Sequence, residues 1–225
     1  MAKNKESILN FHQKRILDLV AKTSYFTERF YLAGGTALSE FYLKHRISED
    51  LDFFSENQEV NQFYIVRFFE SKKSSLDLEK IETKRVLGLS TLFFHFSDKN
   101  VLKVDFNYYP FPRIEKGLKY KNLQIESIYD IAVDKVHTIV LNPRARDFID
   151  IYFIIKRKGY DFKRLLLDAK AKFDWDISAL DLGARLIECS DLSDYPRMLK
   201  RISHKEWKGF FINEAMKLKS EIFKR

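Results

Sequence analysis

The chain has 225 residues, of which 45% are hydrophobic and 32% are charged, and these are ordinary values for a folded globular protein. A single cysteine, Cys189, excludes an intramolecular disulfide framework and a four-thiolate zinc site. No stretch approaches the roughly 18 apolar residues needed to span a bilayer, and the first residues lack the pattern of a secretory signal. We therefore expect a cytoplasmic protein with a sizeable core and no membrane partner.

The net charge of +8 is concentrated in the second half of the chain. Residues 1–110 hold 16 Lys and Arg against 15 Asp and Glu, whereas residues 111–225 hold 24 against 17. A basic excess can serve a polyanionic partner, because Lys and Arg neutralise phosphates and release counterions. Composition alone favours the simpler alternative, which is a solvated basic surface.

Hydrophobic periodicity predicts a mixture of helices and strands in the first half of the chain. In chain order these are a helix over 5–22, a strand over 30–33, a helix over 36–44, a strand over 51–54, a helix over 60–73, and strands over 76–85, 89–96 and 101–109. In the last strand Asp105 shares a face with Lys103, while the alternating apolar side chains form the opposite face.

After Pro110 and Pro112 the pattern changes to helical periods until the end of the chain. The clearer helices are predicted over 127–141, 146–158, 162–173 and 207–223. These patterns predict an α+β fold, with a small mixed β-sheet core and flanking helices over residues 1–115. A mostly helical, basic domain over residues 116–225 follows it.

Three aspartates form the most informative pattern in the sequence. Asp50 and Asp52 are separated by one residue, so on a strand both carboxylates project to the same side. Like charges held so close repel each other, and a cation between them relieves the repulsion. Carboxylate oxygens suit Mg²⁺, and Asp105 on a neighbouring strand would complete a two-metal site. The alternative is a set of exposed acids, with Asp105 paired to Lys103.

Gly34, Gly35 and Thr36 stand between a predicted strand and a predicted helix. Glycines in such a turn let backbone N–H groups approach an anion, and the start of a helix adds a favourable dipole. Thr36 would either cap that helix or give its hydroxyl to a phosphate oxygen. Alone, the turn is weak evidence, because most Gly-Gly-Thr turns bind nothing.

Together these motifs resemble the AbiEii/AbiGii toxin family of nucleotidyltransferases, within the polymerase-β-like superfamily. The first match is the strand, Gly-Gly-Thr and helix, followed by His45-Arg46-x-Ser48-x-Asp50-Leu51-Asp52-Phe53-Phe54. The second match is Asp134-Lys135 with the segment NPRARDFIDIY at 142–152, so the resemblance covers about residues 28–158. Thr36 stands where the wider superfamily has Ser, and the spacer to Asp50 is longer than in most of its members.

The resemblance implies a Mg²⁺-dependent enzyme that moves a nucleoside monophosphate from an NTP to a hydroxyl of a macromolecule. It also implies the toxin of a toxin–antitoxin or abortive-infection system, held in check by a cognate antitoxin. The implied catalytic and metal-binding residues, which would hold two Mg²⁺ ions, are Asp50, Asp52 and Asp105. The implied nucleotide-binding residues are Gly34, Gly35, Thr36, Arg46, Lys135, Arg146, Asp147 and Asp150. In this interpretation residues 1–115 are the catalytic core and residues 116–225 close the nucleotide cleft.

The basic second half favours RNA, and tRNA in particular, as the acceptor. The expected phosphate contacts come from Lys156, Arg157, Lys158, Lys163, Arg164 and later lysines. The alternatives are a protein or small-molecule acceptor, or a non-catalytic module built on the same fold.

Several roles near the second motif stay open at this point. Lys135 lies near a buried helical stripe, from which it would reach a triphosphate. Asp147 and Asp150 share a helix face, and they would either hold Lys135 or help to seat the nucleotide. For the arginines, phosphate contact competes evenly with ordinary salt bridges; these are Arg46, Arg144 and Arg146.

The histidines and the cysteine are expected to be structural. His45 lies at a predicted helix end, next to an arginine. His95 and His137 lack the paired spacing of a zinc site. Cys189 has no accompanying nucleophile signature, so we expect a buried and inert thiol.

Overall fold

The computed structural model of the protein describes residues 7–86 and 88–222. The chain divides into two compact units. The first, here called the sheet unit, comprises Met1–Tyr42 and Ile47–Ser127. The second, here called the helical unit, comprises Leu43–Arg46 and Ile128–Arg225.

The sheet unit is built on a seven-stranded mixed sheet. Its strands are β1 (Tyr31–Ala33), β2 (Leu51–Ser55), β3 (Leu78–Val86), β4 (Leu89–Phe96), β5 (Val101–Tyr108), β6 (Lys119–Tyr120) and β7 (Leu123–Ile125). Their order across the sheet is β3-β4-β5-β2-β1-β7-β6. The β2–β5 and β1–β7 pairs are parallel and the other pairs are antiparallel.

The helices of the sheet unit either precede β1 or lie in the connections between strands. They are α1 (Phe11–Val20), α2 (Ser24–Thr27), α3 (Gly34–Ala37), α4 (Gln62–Ser71) and α5 (Lys73–Leu76). A π-helical turn, Leu38–Leu43, follows α3 directly. The side chain and backbone of Asn10 form a capping box with Gln13, which gives α1 a defined start.

The two faces of the sheet differ because side chains alternate along each strand. One face buries an aromatic core, in which Phe106 lies 5.5 Å from Phe26 and Phe69 lies 4.7 Å from Phe94. The opposite face of β2, β4 and β5 is mostly half-exposed, and we call it the open face. Its residues are Asp52, Phe54, Thr91, Phe93, Lys103, Asp105 and Asn107.

The helical unit contains α6 (Ile128–Leu141), α7 (Ala145–Lys158), α8 (Phe162–Phe173), α9 (Ala179–Ile187), a 3₁₀ turn (Glu188–Ser190), α10 (His204–Lys217) and α11 (Lys219–Ile222). Its core includes Phe148, whose ring lies 4.7 Å from Phe211. The short segment Leu43–Arg46 joins this unit, since the carbonyl of His45 accepts hydrogen bonds from the N–H groups of Leu199 and Lys200.

Most predicted elements are confirmed. The predicted helix over 5–22 corresponds to α1, which is shorter because residues 7–10 are not helical and it ends at Val20; residues 5 and 6 lie outside the described part of the chain. The predicted helix over 207–223 corresponds to α10 and α11, and residue 223 lies outside the described part. None of the described helices is both long and apolar enough to cross a membrane.

The prediction of helical periods from Pro112 onward is wrong for residues 119–125, which form β6 and β7. β7 has three residues, too few to display a period of two, and it is defined instead by parallel pairing with β1. The helix predicted over 36–44 begins two residues earlier and changes to π geometry at Leu38. α9 was not predicted. The functional division at residue 115 stays a prediction.

Candidate active site

The turn that follows β1 brings Gly34 against the carboxylate of Asp52. Gly34 has a φ of +69°, which an L side chain rarely adopts. A Cβ added at Gly34 would lie 2.4 Å from Oδ2 of Asp52, which is closer than real Cβ contacts. Glycine is therefore required here by the backbone conformation and by the space that Asp52 occupies. The negatively charged group beside Gly34 is therefore the carboxylate of Asp52, a side chain of the protein itself.

Thr36 positions the backbone of Asp50. Its hydroxyl is buried and donates a hydrogen bond of 2.5 Å to the carbonyl oxygen of Asp50. The predicted capping role of Thr36 is wrong, because α3 begins at Gly34 and its N-cap is Ala33. Asp50 lies directly before β2 rather than within it, and its side chain is 35% exposed.

The pairing of β2 with β5 places two of the three predicted acids side by side. The strands are parallel, and Asp52 is the register partner of Asp105. Asp105 is buried, and it accepts hydrogen bonds from Thr91 Oγ1 at 2.6 Å and from Lys103 Nζ at 2.5 Å. The same Lys103 nitrogen lies 3.7 Å from Oδ2 of Asp50. Asp50, Asp52 and Asp105 therefore lie near one ammonium group, that of Lys103, where β2 begins.

Lys103 balances the negative charge of this acidic group. Burial disfavours its charged form, but the hydrogen bond to Asp105 and the charges of Asp105, Asp50 and Asp52 outweigh burial and raise the pKa of Lys103. The predicted alternative, in which Asp105 pairs with Lys103, is thus present in the structure. It coexists with the convergence of the three carboxylates.

The donor set has the chemistry that Mg²⁺ prefers. Within residues 7–86 and 88–222, no three acidic, histidine or cysteine side chains are arranged so that they could hold a metal ion. However, oxygens of Asp50 and Asp105 already share one positive centre, the Lys103 ammonium. Carboxylate oxygens are the ligands that a hard divalent cation such as Mg²⁺ prefers. The carboxylates therefore match Mg²⁺ in ligand type, while in this structure Lys103 pairs with Asp105 and lies near Asp50.

A second group of charges lies inside the helical unit, and we call it the buried ion cluster. Its members are His45, Arg46, Lys135, Asp147 and Asp150. Arg46 binds Asp150 in a bidentate manner, with Nε–Oδ1 and Nη2–Oδ2 distances of 2.7 Å. Lys135 Nζ lies 2.6 Å from Asp147 Oδ1 and 2.8 Å from Asp150 Oδ2. All five residues are buried.

The charges of the buried ion cluster shift the pKa values of its members. Burial by itself would raise the pKa of Asp150, but Arg46 and Lys135 hold it well below the usual value. Burial would lower the pKa of Lys135, but Asp147 and Asp150 raise it. Burial lowers the pKa of His45 despite its hydrogen bond to Asp150. At neutral pH the two basic and two acidic members of the cluster are thus charged, and His45 is neutral.

The contacts of the buried ion cluster show how several of these residues are paired within the helical unit. Arg46 and Lys135 are engaged by carboxylates, and Arg144 also pairs with Asp147, at 2.8 Å from Nε. Asp147 and Asp150 hold Lys135 in place, which is one of the two roles expected for them. Arg146 differs, because it is half-exposed and forms no ion pair with a described residue.

His137, His95 and Cys189 all have contacts within the protein. The ring of His137 stacks on Phe173 at 4.0 Å, and burial lowers its pKa. His95 lies 3.6 Å from Glu82. Cys189 is buried, and burial raises the pKa of its thiol.

The basic residues expected to contact phosphates lie on the surface of the helical unit. Lys156, Arg157 and Lys158 form the exposed last turn of α7. Lys163 and Arg164 are exposed at the start of α8, where Arg164 pairs with Asp168 at 3.0 Å. These residues form a basic patch around the α7–α8 connection.

Sequence reasoning missed the contact of Thr91 with Asp105. It lies opposite Asp105 on β4, and only the strand register reveals the contact. It also missed that residues 43–46 belong with the helical unit, because no local signal marks them. Lys103 was noticed only as a partner for Asp105, whereas it also lies near Asp50.

Comparisons with known proteins agree with this architecture. A crystal structure of JHP933 from Helicobacter pylori aligns with a TM-score of 0.56 and 20% identity, covering 94% of this chain and 90% of that one. Another Helicobacter pylori chain, described as a candidate nucleotidyltransferase, aligns with the same TM-score and identity over 94% of both chains. At this identity the likeness shows a shared fold.

An uncharacterized protein of Aquifex aeolicus (strain VF5) is 34% identical over 148 residues, which are 64% of this chain and 66% of the relative. The chain thus spans just under two thirds of that relative's length. The sequence model of the nucleotidyl transferase AbiEii toxins of type IV toxin–antitoxin systems matches residues 15–216. Because this match covers most of the chain, the protein belongs to the AbiEii nucleotidyl transferase toxin family.

Proposed function

We propose that this protein transfers a nucleoside monophosphate from an NTP to a hydroxyl of an RNA, with tRNA as the preferred acceptor. The observation that carries the proposal is the proximity of Asp50, Asp52 and Asp105 to one another and to Lys103, where β2 begins. Membership of a nucleotidyl transferase family supports the same reaction class.

The proposed reaction is a displacement at the α-phosphorus of the NTP. The acceptor hydroxyl oxygen forms a bond to that phosphorus, and the bond to the bridging oxygen breaks, so that pyrophosphate leaves. Asp105 accepts the hydroxyl proton, directly or through a water molecule. Thr91 and Lys103 hold Asp105 in position through its two oxygens. Asp50 and Asp52, with Asp105, would hold Mg²⁺, which when bound neutralises charge on the phosphates and activates the hydroxyl.

The nucleotide-binding residues stay part of the proposal. The set comprises Gly34, Gly35, Thr36, Arg46, Lys135, Arg146, Asp147 and Asp150. Arg146 is half-exposed, and in this proposal its guanidinium contacts a phosphate directly. Arg46, Lys135, Asp147 and Asp150 would act as the charged support of the helix that carries Arg146.

Two features support an RNA acceptor in a toxin–antitoxin setting. The basic patch around the α7–α8 connection offers sequence-independent contacts to a phosphate backbone. The family description names a type IV toxin–antitoxin system, which supports a cognate antitoxin as partner. We propose that growth inhibition follows from modification of the RNA.

The acceptor class is tested by incubating the purified protein with each α-labelled NTP, Mg²⁺ and a whole-cell extract. The products are then separated into RNA, protein and small solutes. We expect the label in a tRNA-sized band, and no label when Asp50→Asn protein replaces the wild type. Label in protein or small solutes would reject RNA as the acceptor, and no label in any fraction would contradict the transfer reaction.

A further inference from the structure

A row of aromatic side chains continues the open face beyond the carboxylates. Phe54 follows Asp52 by two residues on β2, so both side chains lie on the same face of the sheet. The ring centroid of Phe54 lies 4.6 Å from that of Tyr109, which in turn lies 5.0 Å from Phe111. All three rings are half-exposed. We call Phe54, Tyr109 and Phe111 the aromatic row.

The segment that carries Tyr109 and Phe111 is firmly attached to the end of β2. The N–H of Tyr109 donates to the carbonyl of Ser55 at 2.7 Å. The N–H and Nε of Arg113 donate to Glu56 Oε1 at 2.7 and 2.9 Å. The guanidinium of Arg113 also lies 4.2 Å above the ring of Tyr31. The aromatic row is therefore held in place, which lowers the entropy cost of binding a ligand on it.

The position of the aromatic row suits a flat heteroaromatic ring. Residues two apart on a strand are separated by about 7 Å, so Phe54 lies roughly that far from Asp52 along β2. In a nucleotide, the base and the reacting hydroxyl or phosphate are separated by a distance of the same order, the width of one sugar. A nucleobase on the aromatic row would thus leave its sugar next to the carboxylates. Stacking on aromatic side chains tolerates every base, because every base has a π-face.

We propose that the aromatic row is a stacking platform for a substrate nucleobase. This inference rests on the proposed function, because only a nucleotide substrate brings a base next to the carboxylates. The base comes either from the incoming NTP or from the terminal nucleotide of the RNA acceptor. The stacking chemistry is the same in both cases, and separate binding measurements distinguish the two sources.

The test measures binding to Phe54→Leu and Tyr109→Leu proteins by fluorescence anisotropy. The probes are a fluorescent NTP analogue, a labelled single-stranded oligoribonucleotide, and the same oligonucleotide without its terminal base. Phe93→Leu is the matched control, since Phe93 is a half-exposed ring on the open face but lies on β4, opposite Lys103. The thermal unfolding midpoint of each variant verifies folding, and the second variant keeps the test informative if one fails to fold.

We expect one of the two intact probes, either the NTP analogue or the intact oligonucleotide, to bind about tenfold more weakly to Phe54→Leu and Tyr109→Leu than to wild type. Both should bind Phe93→Leu with wild-type affinity. A loss for the intact oligonucleotide only, with no loss for the version without the base, assigns the platform to the acceptor. A loss for the NTP analogue only assigns it to the incoming nucleotide. Unchanged binding of both probes to folded variants would overturn the platform, and so would equal losses with and without the terminal base.

Failure of the proposed function gives a different result. If wild-type protein transfers no label but binds a probe in an aromatic-row-dependent way, the transfer reaction is refuted and the platform stands. If label transfer proceeds while both variants bind the probes normally, only the platform is refuted.

Discussion

Replacing Gly34 by alanine tests the contact between the β1 turn and Asp52. Gly34 and Gly88 both have positive φ values, +69° and +83°. A Cβ added at Gly34 would lie 2.4 Å from Oδ2 of Asp52, whereas one added at Gly88 meets nothing within 4 Å. Gly88→Ala is therefore a matched control that carries the backbone strain but lacks the contact.

The two substitutions should have similar effects on stability and different effects on transfer. Left-handed backbone costs an L residue roughly 1–2 kcal/mol, so both variants should lose about that much free energy of unfolding. At Gly34, the Asp52 carboxylate must also withdraw from 2.4 Å to at least the 3.4 Å of ordinary contact. A displacement of about 1 Å in a reacting group costs on the order of 100-fold in rate.

The assay is single-turnover label transfer at saturating NTP, with urea unfolding measured in parallel. We expect Gly34→Ala to transfer roughly 100-fold more slowly than wild type, and Gly88→Ala to transfer at close to the wild-type rate. Equal rates for two equally stable variants would refute the role of Gly34 in placing Asp52.

Three further predictions concern the helical unit. Asp150→Asn removes from the interior the carboxylate that pairs with both Arg46 and Lys135, so unfolding followed by the fluorescence of Trp175 and Trp207 should show a loss of about 3–5 kcal/mol in the free energy of unfolding. The exposed control Asp191→Asn should change little, and a comparable change in both would contradict this account. Burial lowers the pKa of His137 from its usual 6.5, so the unfolded state binds the proton more readily. Stability should therefore fall as the pH decreases below about 6.5. The fall should be smaller in His137→Gln, and identical pH profiles for the two proteins would refute this. Replacing Lys156, Arg157 and Lys158 by Gln should reduce the salt slope of RNA binding by about 2, and an unchanged slope would exclude this patch from the interface.

The local features of the site could be predicted from the sequence. The alternation of β5 correctly places Asp105 opposite the buried face of its strand, because a period of two needs only a single strand to be visible. The Asp-x-Asp pair and the Gly-Gly turn are likewise short-range patterns. Gly34 has a more specific role than the expected anion approach, since its missing Cβ makes room for Asp52.

The long-range features could not be predicted, because strand register and unit membership leave no local mark. Thr91 contacts Asp105 only because β4 and β5 pair in the observed register. The pairing of Arg46 with Asp150 joins residues 104 positions apart. Residues 43–46 resemble the end of a helix in sequence, and their membership of the helical unit depends on hydrogen bonds to Leu199 and Lys200.

The most direct test of the central claim is label transfer to RNA by Asp52→Asn and Asp105→Asn, beside the exposed control Asp98→Asn. Each asparagine keeps the shape of the side chain and removes its charge. If the three carboxylates form the catalytic centre, transfer should be abolished in the first two variants and retained in the third, while all three stay folded. Wild-type transfer by a folded Asp52→Asn or Asp105→Asn protein would contradict the account.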